Sequence, residues 1–422
     1  MDAIKYTIYG IPRRTKQERG ETAKVRILYV ATSFPEPDKG STIYTDLAEA
    51  LHEAKHEVVV AVSEQAKNLA TTQMSKERGL DVLRVVTGNY YDVGLIEKGI
   101  TTLRIPGLMR KGIEEHLGER VFDVVLFESP PITNATLVSW VKKKFNCKAF
   151  LMLKDIFPQN AVDLGIMKKN GLLYTYFRSK EIALYETADI IGCMSPANKD
   201  YVVSHNPCLD PRKVELFPNT KRITDQSLAV GPSIRKKFDI SEEACIFLFG
   251  GNMGRPQCID LLCNAVTECK DDEKIFFLFV GRGTDRYRLE DTIRAENIRN
   301  AVVIENLPRD EYERVVKECD VGLIVLDPRF TIPNYPSRIL SYMEYAKPIL
   351  AATDRVTDLR NLIREAQCGN WVWSADEVAF VSMIRQMSRS NSLPTLGKNG
   401  REYVEKKFDV QFSVEILERH FD

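Results

Sequence analysis

The sequence predicts an α/β protein built from two doubly wound parallel sheets, and three observations predict it. Short apolar runs recur along the chain, and helical stretches lie between most of them. That alternation stops once, near 217–233, and then restarts. Strands alternating with helices give a parallel sheet covered on both faces, whose strands read as nearly continuous apolar runs. The length, 422 residues, suits two such domains.

The elements follow in order. "KVRILYVAT" (24–32) is the first strand, and a loop with Pro35, Pro37 and Gly40 leads to an amphipathic helix, "STIYTDLAEALHEA". "HEVVVAVS", "DVLRVVT", "FDVVLFES", "KAFLMLKD", "ADIIGCMS" and "KVELFPN" supply further strands. The polar, turn-rich "FPNTKRITDQSLAVGPS" reads as a linker near 218–232, after which "ACIFLFGG", "KIFFLFVGRG", "NAVVIENL", "DVGLIVLD", "KPILAAT" and "GNWVW" build the second sheet. The domains expected are 1–218 and 219–404, with the amphipathic "FDVQFSVEILERHF" closing the chain. Open parallel sheets bind ligands at the carboxyl ends of their strands. The loops after "VAT", "FES", "LKD", "FGG" and "VGRG", and the one before "PSRIL", are therefore expected to line one shared cleft.

Composition excludes several classes. Formal net charge is zero, so bulk charge gives no support for nucleic-acid binding. No run of about 18 apolar residues predicts a membrane span. Residues 1–20 lack a signal-peptide core and read as a short extension. The nine cysteines include no C-x-x-C pair and read as free thiols of a reducing cytosol. The five histidines show no metal spacing, and no D-x-D pair is present; no metal or cofactor is expected.

Three loops could carry chemistry. "FLFGGNMGRPQCIDLLCNA" is strand, glycine loop and helix: Gly250, Gly251 and Gly254 permit close backbone approach, and amides at a helix entrance with Arg255 suit a phosphate. It is neither a Walker loop nor a G-x-G-x-x-G fingerprint, and a purely structural turn accounts for it equally well. "FFLFVGRGTDRYRLED" repeats the theme with Gly281 and Gly283, and again a structural turn suffices. In "NYPSRILSYMEYAKPILA" (334–351), Ser337 is a good N-cap after Pro336, while Ile339, Leu340 and Met343 form the buried stripe. Ser337, Ser341 and Glu344 share the opposite face. Arg338 stands in the first turn, where a cation is disfavoured by about 0.3–1 kcal/mol unless an anion joins it. A solvated arginine is the plainer reading.

"YPSRILSYMEYAKPILA" resembles the "PSK…E…GKP…A" segment of retaining GT-B glycosyltransferases of family four, in the branch that assembles bacterial capsule, O-antigen and exopolysaccharide. The likeness spans nearly the whole chain. "VATSFPEPDKGSTIYTDLAEAL" is similar to the first strand and acceptor loop, "FESPP" to the Ser-Pro-Pro turn, "KDIFPQNAVDLG" to the Asp-aromatic-Pro block, "EIALYETADIIGCMSPANKDYV" to the helix–strand pair before the linker, and "GGNMGRPQ" to the donor loop. The resemblance implies that residues 405–422 return to the first domain.

It also implies roles. Gly250, Gly251, Asn252 and Arg255, with Gly281 and Gly283, would lie near the diphosphate of a nucleotide-sugar, commonly a UDP-sugar. Glu305 and Leu307 would lie beside the base, and Ser337 and Arg338 would meet the diphosphate. Gly40, Ser41, Ser129 and Asp155 would hold the acceptor. Asp155, Arg255 and Arg338 are the catalytic candidates, Asp155 orienting a sugar and the arginines stabilising the leaving diphosphate. The family's paired glutamates fall here on Pro333 and Ser341, neither acidic. Glu344, about 4.5 Å further along a helix axis, would reach a ribose only if the helix were shifted, and Ser341 is the alternative. The implied function is metal-independent hexosyl or N-acetylhexosaminyl transfer to a lipid-linked saccharide at the inner face of the cytoplasmic membrane, by a cytoplasmic, peripherally bound enzyme. A sugar-nucleotide epimerase of the same fold and a catalytically silent partner subunit are the alternatives. Two stretches suit a membrane surface or simply a solvated helix face: "GITTLRIPGLMRKGI" (99–113), basic and free of acids, and "WVKKKFNCK" (140–148), with Lys142, Lys143 and Lys144 in a row.

Overall fold

The structure, a computed structural model, describes residues 24–89, 95–224, 233–305 and 307–421. The N-terminal extension and linker residues 225–232 lie outside these. The chain forms two compact units: one runs to Arg222 and takes in the residues from Val410 onward, and the other is Ile223–Asp409. The breaks thus fall four and five residues later than the 218 and 404 expected from sequence. The reason is local bonding. Lys154 Nζ donates to Asn219 Oδ1 at 2.8 Å, the Thr220 and Ser413 hydroxyls meet at 2.7 Å, and the Arg222 amide donates to Asp46 at 3.0 Å. All three bonds tie 219–222 to the first unit.

The first unit's strands are β1 (Arg26–Ala31), β2 (Glu57–Glu64), β3 (Gln73–Glu77), β4 (Leu80–Val86), β5 (Val124–Ser129), β6 (Lys148–Leu153), β7 (Ile190–Cys193) and β8 (Val214–Leu216). They lie in the order β3-β4-β2-β1-β5-β6-β7-β8, all parallel except the β3–β4 hairpin. The order reverses between β1 and β5, where a doubly wound sheet places its ligand crevice. Its helices are α1 (Ile43–Glu53), α2 (Leu95–Leu117), α3 (Ala135–Phe145), α4 (Gln159–Asp163), α5 (Leu172–Thr187) and α6 (Pro196–His205). Thr42 starts α1 with a capping box, its hydroxyl accepting from the Thr45 amide while Thr45 Oγ1 accepts from its own.

In the second unit, the short α7 (Ile234–Lys237) precedes β9 (Cys245–Gly250), α8 (Ile259–Glu268), β10 (Ile275–Val280), α9 (Arg286–Ala295), β11 (Ala301–Ile304), α10 (Arg309–Glu318), β12 (Val321–Val325), α11 (Arg338–Glu344), β13 (Ile349–Thr353), α12 (Leu359–Ala366), β14 (Gly369–Trp373), α13 (Glu377–Met387) and α14 (Leu393–Lys407). The strands run in parallel as β11-β10-β9-β12-β13-β14, reversing between β9 and β12. Phe247, Phe249, Phe277 and Phe279 pack with α8 and α13 into its core.

The last helix, α15 (Val410–Glu418), belongs to the first unit's core. Val410, Phe412, Val414, Ile416 and Leu417 pack with Leu47, Ala48 and Leu51 of α1 and the strands beneath.

Candidate active site

In the second unit, the loops after β9 and β12 meet at the sheet's reversal point. The Asp327 amide, just past β12, donates to the Pro256 carbonyl at 2.9 Å. Arg338, the first residue of α11, reaches back to the β9 side. Its guanidinium lies 4.6 Å over the Phe249 ring, a cation–π contact. Its Nη2 donates to Gln257 Oε1 at 2.7 Å. Its Nη1 is shut off from solvent and has no acceptor among the described residues. Burial pulls the guanidinium below its ordinary pKa, but arginine stays charged in proteins. No described carboxylate pairs with it; the hydroxyls of Tyr312 and Tyr342 are its polar surroundings. A fixed, half-buried cation with a donor unused can take an anion.

Free amides were expected at the helix entrance; ahead of it the Gly250 amide donates to Tyr342 Oη at 3.1 Å and the Gly251 amide to the Val280 carbonyl at 2.8 Å. The amides of Asn252 and Gly254 have no acceptor among the described residues and can still serve a ligand. Gly251 itself brings backbone against the cation: a Cβ there would sit 3.4 Å from Arg338 Cζ. Gly281 and Gly283 pack against this loop. Their φ angles are +148° and +157°, and Cβ atoms on them would meet the backbone of Gly251 and Met253 at 1.9 and 2.3 Å. They seat the first glycine loop. Arg255 is exposed in a short 3-10 turn. Glu305 is exposed and pairs with Arg286 at 3.2 Å, and Leu307 is half-buried.

In α11, Ser337 takes the N-cap position but makes no side-chain cap. Ser341 is half-buried, whereas Glu344 is fully buried. Glu344 Oε1 accepts from the amide and hydroxyl of Thr224 at 3.0 and 3.1 Å. Arg401 of α14 donates to the Glu344 carbonyl at 2.7 Å. Glu344 therefore fastens the start of this unit to α11, and the shared face with Ser337 and Ser341 divides: Glu344 turns inward.

In the first unit, the reversal point carries a second polar cluster. Ser129 and Asp155 come together at neighbouring strand ends, the Lys154 amide donating to the Ser129 carbonyl at 3.0 Å. Ser129 Oγ is buried without a partner among the described residues. Asp155 accepts from Asn160 Nδ2 at 2.7 Å, and burial raises its carboxyl to about 6. Gly40 is held from another side. Arg78, at the β3–β4 turn, bonds the carbonyls of Gly40, Glu36 and Pro35 and pairs with Glu49 at 2.9 Å. Ser41 follows in the stretch that enters α1.

Sequence reasoning missed Glu128, Lys154 and Arg78. Glu128 is buried, accepts from the Thr32 amide, and keeps Oε2 without a partner among the described residues. Burial raises its carboxyl, against the lowering pull of that amide and of Lys154. Burial lowers the Lys154 ammonium to about 8. Glu128 was visible only as an acid inside an otherwise apolar strand, "FDVVLFES". Of the three consecutive lysines, Lys142 pairs with Asp189 at 2.8 Å and Lys144 with Glu114 at 3.2 Å. Lys143 has no carboxylate partner among the described residues.

Among the described residues, no cluster of three His, Cys, Asp or Glu could hold a metal, and no helix is long and apolar enough to cross a membrane. Residues 231–403 match the family model for glycosyl transferases group 1. The chain is 26% identical over 308 residues to WbjE of Pseudomonas aeruginosa, named as a glycosyltransferase, covering 69% of this chain and 72% of that one. It is 25% identical over 205 residues to WcaI of Escherichia coli, named as a colanic acid biosynthesis glycosyl transferase, covering 47% and 49%. Among solved structures, sucrose-phosphate synthase from Thermosynechococcus elongatus superposes with a TM-score of 0.73 at 15% identity, covering 94% of this chain and 98% of that one. HepE of Anabaena, solved in complex with UDP-glucose, gives 0.68 at 14%, covering 93% and 99%. The fold is GT-B, with two parallel-sheet Rossmann-like domains. The match to group 1 glycosyl transferases lies in the second unit, and the chain is similar in sequence to WbjE and WcaI.

Proposed function

We propose that the chain transfers a sugar from a nucleotide-diphosphate sugar, a UDP-sugar, to a lipid-linked saccharide in bacterial surface polysaccharide synthesis, with retention and without a divalent ion. The observation that carries it is Arg338: clamped between Phe249 and Gln257, beside Gly251, with Nη1 unused. HepE, of the same fold, has been solved with UDP-glucose, which favours a uridine diphosphate as the anion that Arg338 would take.

The reaction breaks the bond between the anomeric carbon and the diphosphate oxygen and forms one to the acceptor oxygen on the same face. The acceptor proton passes to the departing diphosphate. The protein's task is then to stabilise the charge that grows on that diphosphate, with a cation and amides already in position. Arg338 and the amides of Asn252 and Gly254 supply such groups. Asp155, ionised above about pH 6, would accept from an acceptor hydroxyl and orient it. A silent nucleotide-sugar-binding subunit is the second reading, favoured by Ser341 standing where the family carries an acid; turnover of a donor by the purified chain separates the two.

Arg338→Ala removes a charge-assisted contact worth about 1.5–3 kcal/mol, so UDP affinity should fall about ten- to a hundredfold. Titration calorimetry of parent and variant with UDP tests this. A parent that binds no nucleoside diphosphate, or a variant that binds UDP equally well, would sink the proposal.

A further inference from the structure

We propose that the face formed by α2, α3 and α5 of the first unit docks on an anionic lipid surface, with a headgroup phosphate seated between Arg110 and Lys143. The inference deepens the reading above and rests on its lipid-linked acceptor, but the observations behind it lie apart from the reacting groups.

The start of α5 is built against the ordinary rule for a water-facing helix. Leu172 is 94% exposed and Leu173 57%, with Ile166 just ahead and Tyr176 one turn on also exposed. Such a cluster of large apolar side chains marks an interaction surface. Ile182, further along the helix, is also exposed, on a different side from Leu173. Basic groups are interleaved with it: Lys168 and Lys169 are exposed between Ile166 and Leu172, and the Lys180 ammonium lies 5.3 Å over the Tyr176 ring.

The same helix then leads to a pocket. Ala183 and Thr187 line a cavity of about 440 Å³ together with Trp140 and Lys143 of α3 and Arg110 of α2. The Arg110 guanidinium lies 5.1 Å over the Trp140 ring. Neither Arg110 nor Lys143 pairs with a carboxylate among the described residues, although Lys142 and Lys144 on either side do. On α2, Leu103 is exposed two turns before Arg110, on the same side of the helix. The exposed acid on α5 is Glu186, beside Thr187 at the pocket end of the helix, and Glu114 of α2 is paired with Lys144.

The charge pattern selects the occupant. Two copies of this face would bring lysines and arginines against one another, whereas an anionic lipid surface neutralises them while the leucines enter the acyl boundary. Trp140 and Tyr176 are residue types that settle at headgroup depth. A phosphate in the pocket would meet two cations and the hydroxyls of Thr136 and Ser139.

The test is co-sedimentation of the full chain with vesicles of phosphatidylglycerol and phosphatidylcholine, against phosphatidylcholine alone. Binding is expected to the former and to weaken with salt. Leu172→Ser with Leu173→Ser should lower it about tenfold or more. Arg110→Gln with Lys143→Gln should lower it about 25-fold, about fivefold per basic side chain. Every variant should keep the parent's UDP-induced rise in melting temperature; if the parent shows none, it is the sugar-transfer reading that fails. A parent indifferent to anionic vesicles, or variants that bind them like the parent, would overturn the inference. So would a leucine variant that turns a dimer into a monomer while vesicle binding is unchanged, since the face would then belong to a second copy.

Discussion

Asp155 links the candidate chemistry to stability through a single proton. Its carboxyl, raised to about 6 by burial, sits above the ordinary aspartate value of about 3.9. Between those values the folded protein holds a proton that the unfolded chain releases. The contribution is therefore fully present below about pH 4 and lost as pH rises through 6. A shift of about two units corresponds to about 3 kcal/mol at most, and less for a side chain that water still reaches. Asp155→Asn, which imitates the protonated state, should be more stable than the parent at pH 7 by about 1–3 kcal/mol and should flatten the slope between pH 4 and 6. Urea unfolding at a series of pH values reads both. Turnover should fall in the same variant, because an amide orients an acceptor hydroxyl less strongly than a carboxylate. Unchanged stability and unchanged turnover together would remove Asp155 from the site.

At the scale of the element, α11 separates two residues that sequence left as alternatives. Glu344 is buried on Thr224, so Glu344→Gln should cost stability, about 1–3 kcal/mol for weakened bonds to a buried charged acceptor, with UDP affinity unchanged. Ser341 stays half-buried in the position where the family has its second glutamate. Ser341→Glu should tighten UDP, since an ionised acceptor roughly doubles a hydrogen bond's strength. Calorimetry on the two variants decides it, and the reverse pattern would mean that the ribose lies a turn further along. What sequence could reveal here was periodicity: Ile339, Leu340 and Met343 are buried as the stripe required. The inward turn of Glu344 depends on Thr224, 120 residues away in the chain, and no local pattern encodes that. The glycine loops follow the same logic. Gly281 and Gly283 were legible as a turn, but the purpose of that turn, packing against Gly251 and Met253, is a contact between two loops and leaves no mark in either.

In the whole molecule, both sheets and their strand sequence were legible because a buried parallel strand is an apolar run flanked by turn residues. The antiparallel β3 escaped, its "QMSKE" being a partly exposed edge. The last helix was legible as an amphipathic segment and its return to the first unit only through the family resemblance, and the consequence of that return is measurable. Val410, Phe412, Val414, Ile416 and Leu417 are all at most 3% exposed. At about 1.5–3 kcal/mol for each large apolar side chain removed from water, their contribution reaches about 10 kcal/mol, which is the scale of an entire domain's stability. Ending the chain after Asp409 should therefore unfold the first unit, whose core contains these side chains. The second unit keeps α14 and its Arg401 bond to Glu344, so it should remain folded. Calorimetry of the shortened chain should show one transition lost and one retained, and UDP should still raise the retained one, because a ligand that binds only the folded form stabilises it. If the shortened chain melts like the parent, α15 is not the closing piece of the first unit's core; if UDP no longer shifts the surviving transition, the anion seat at Arg338 is not complete within the second unit.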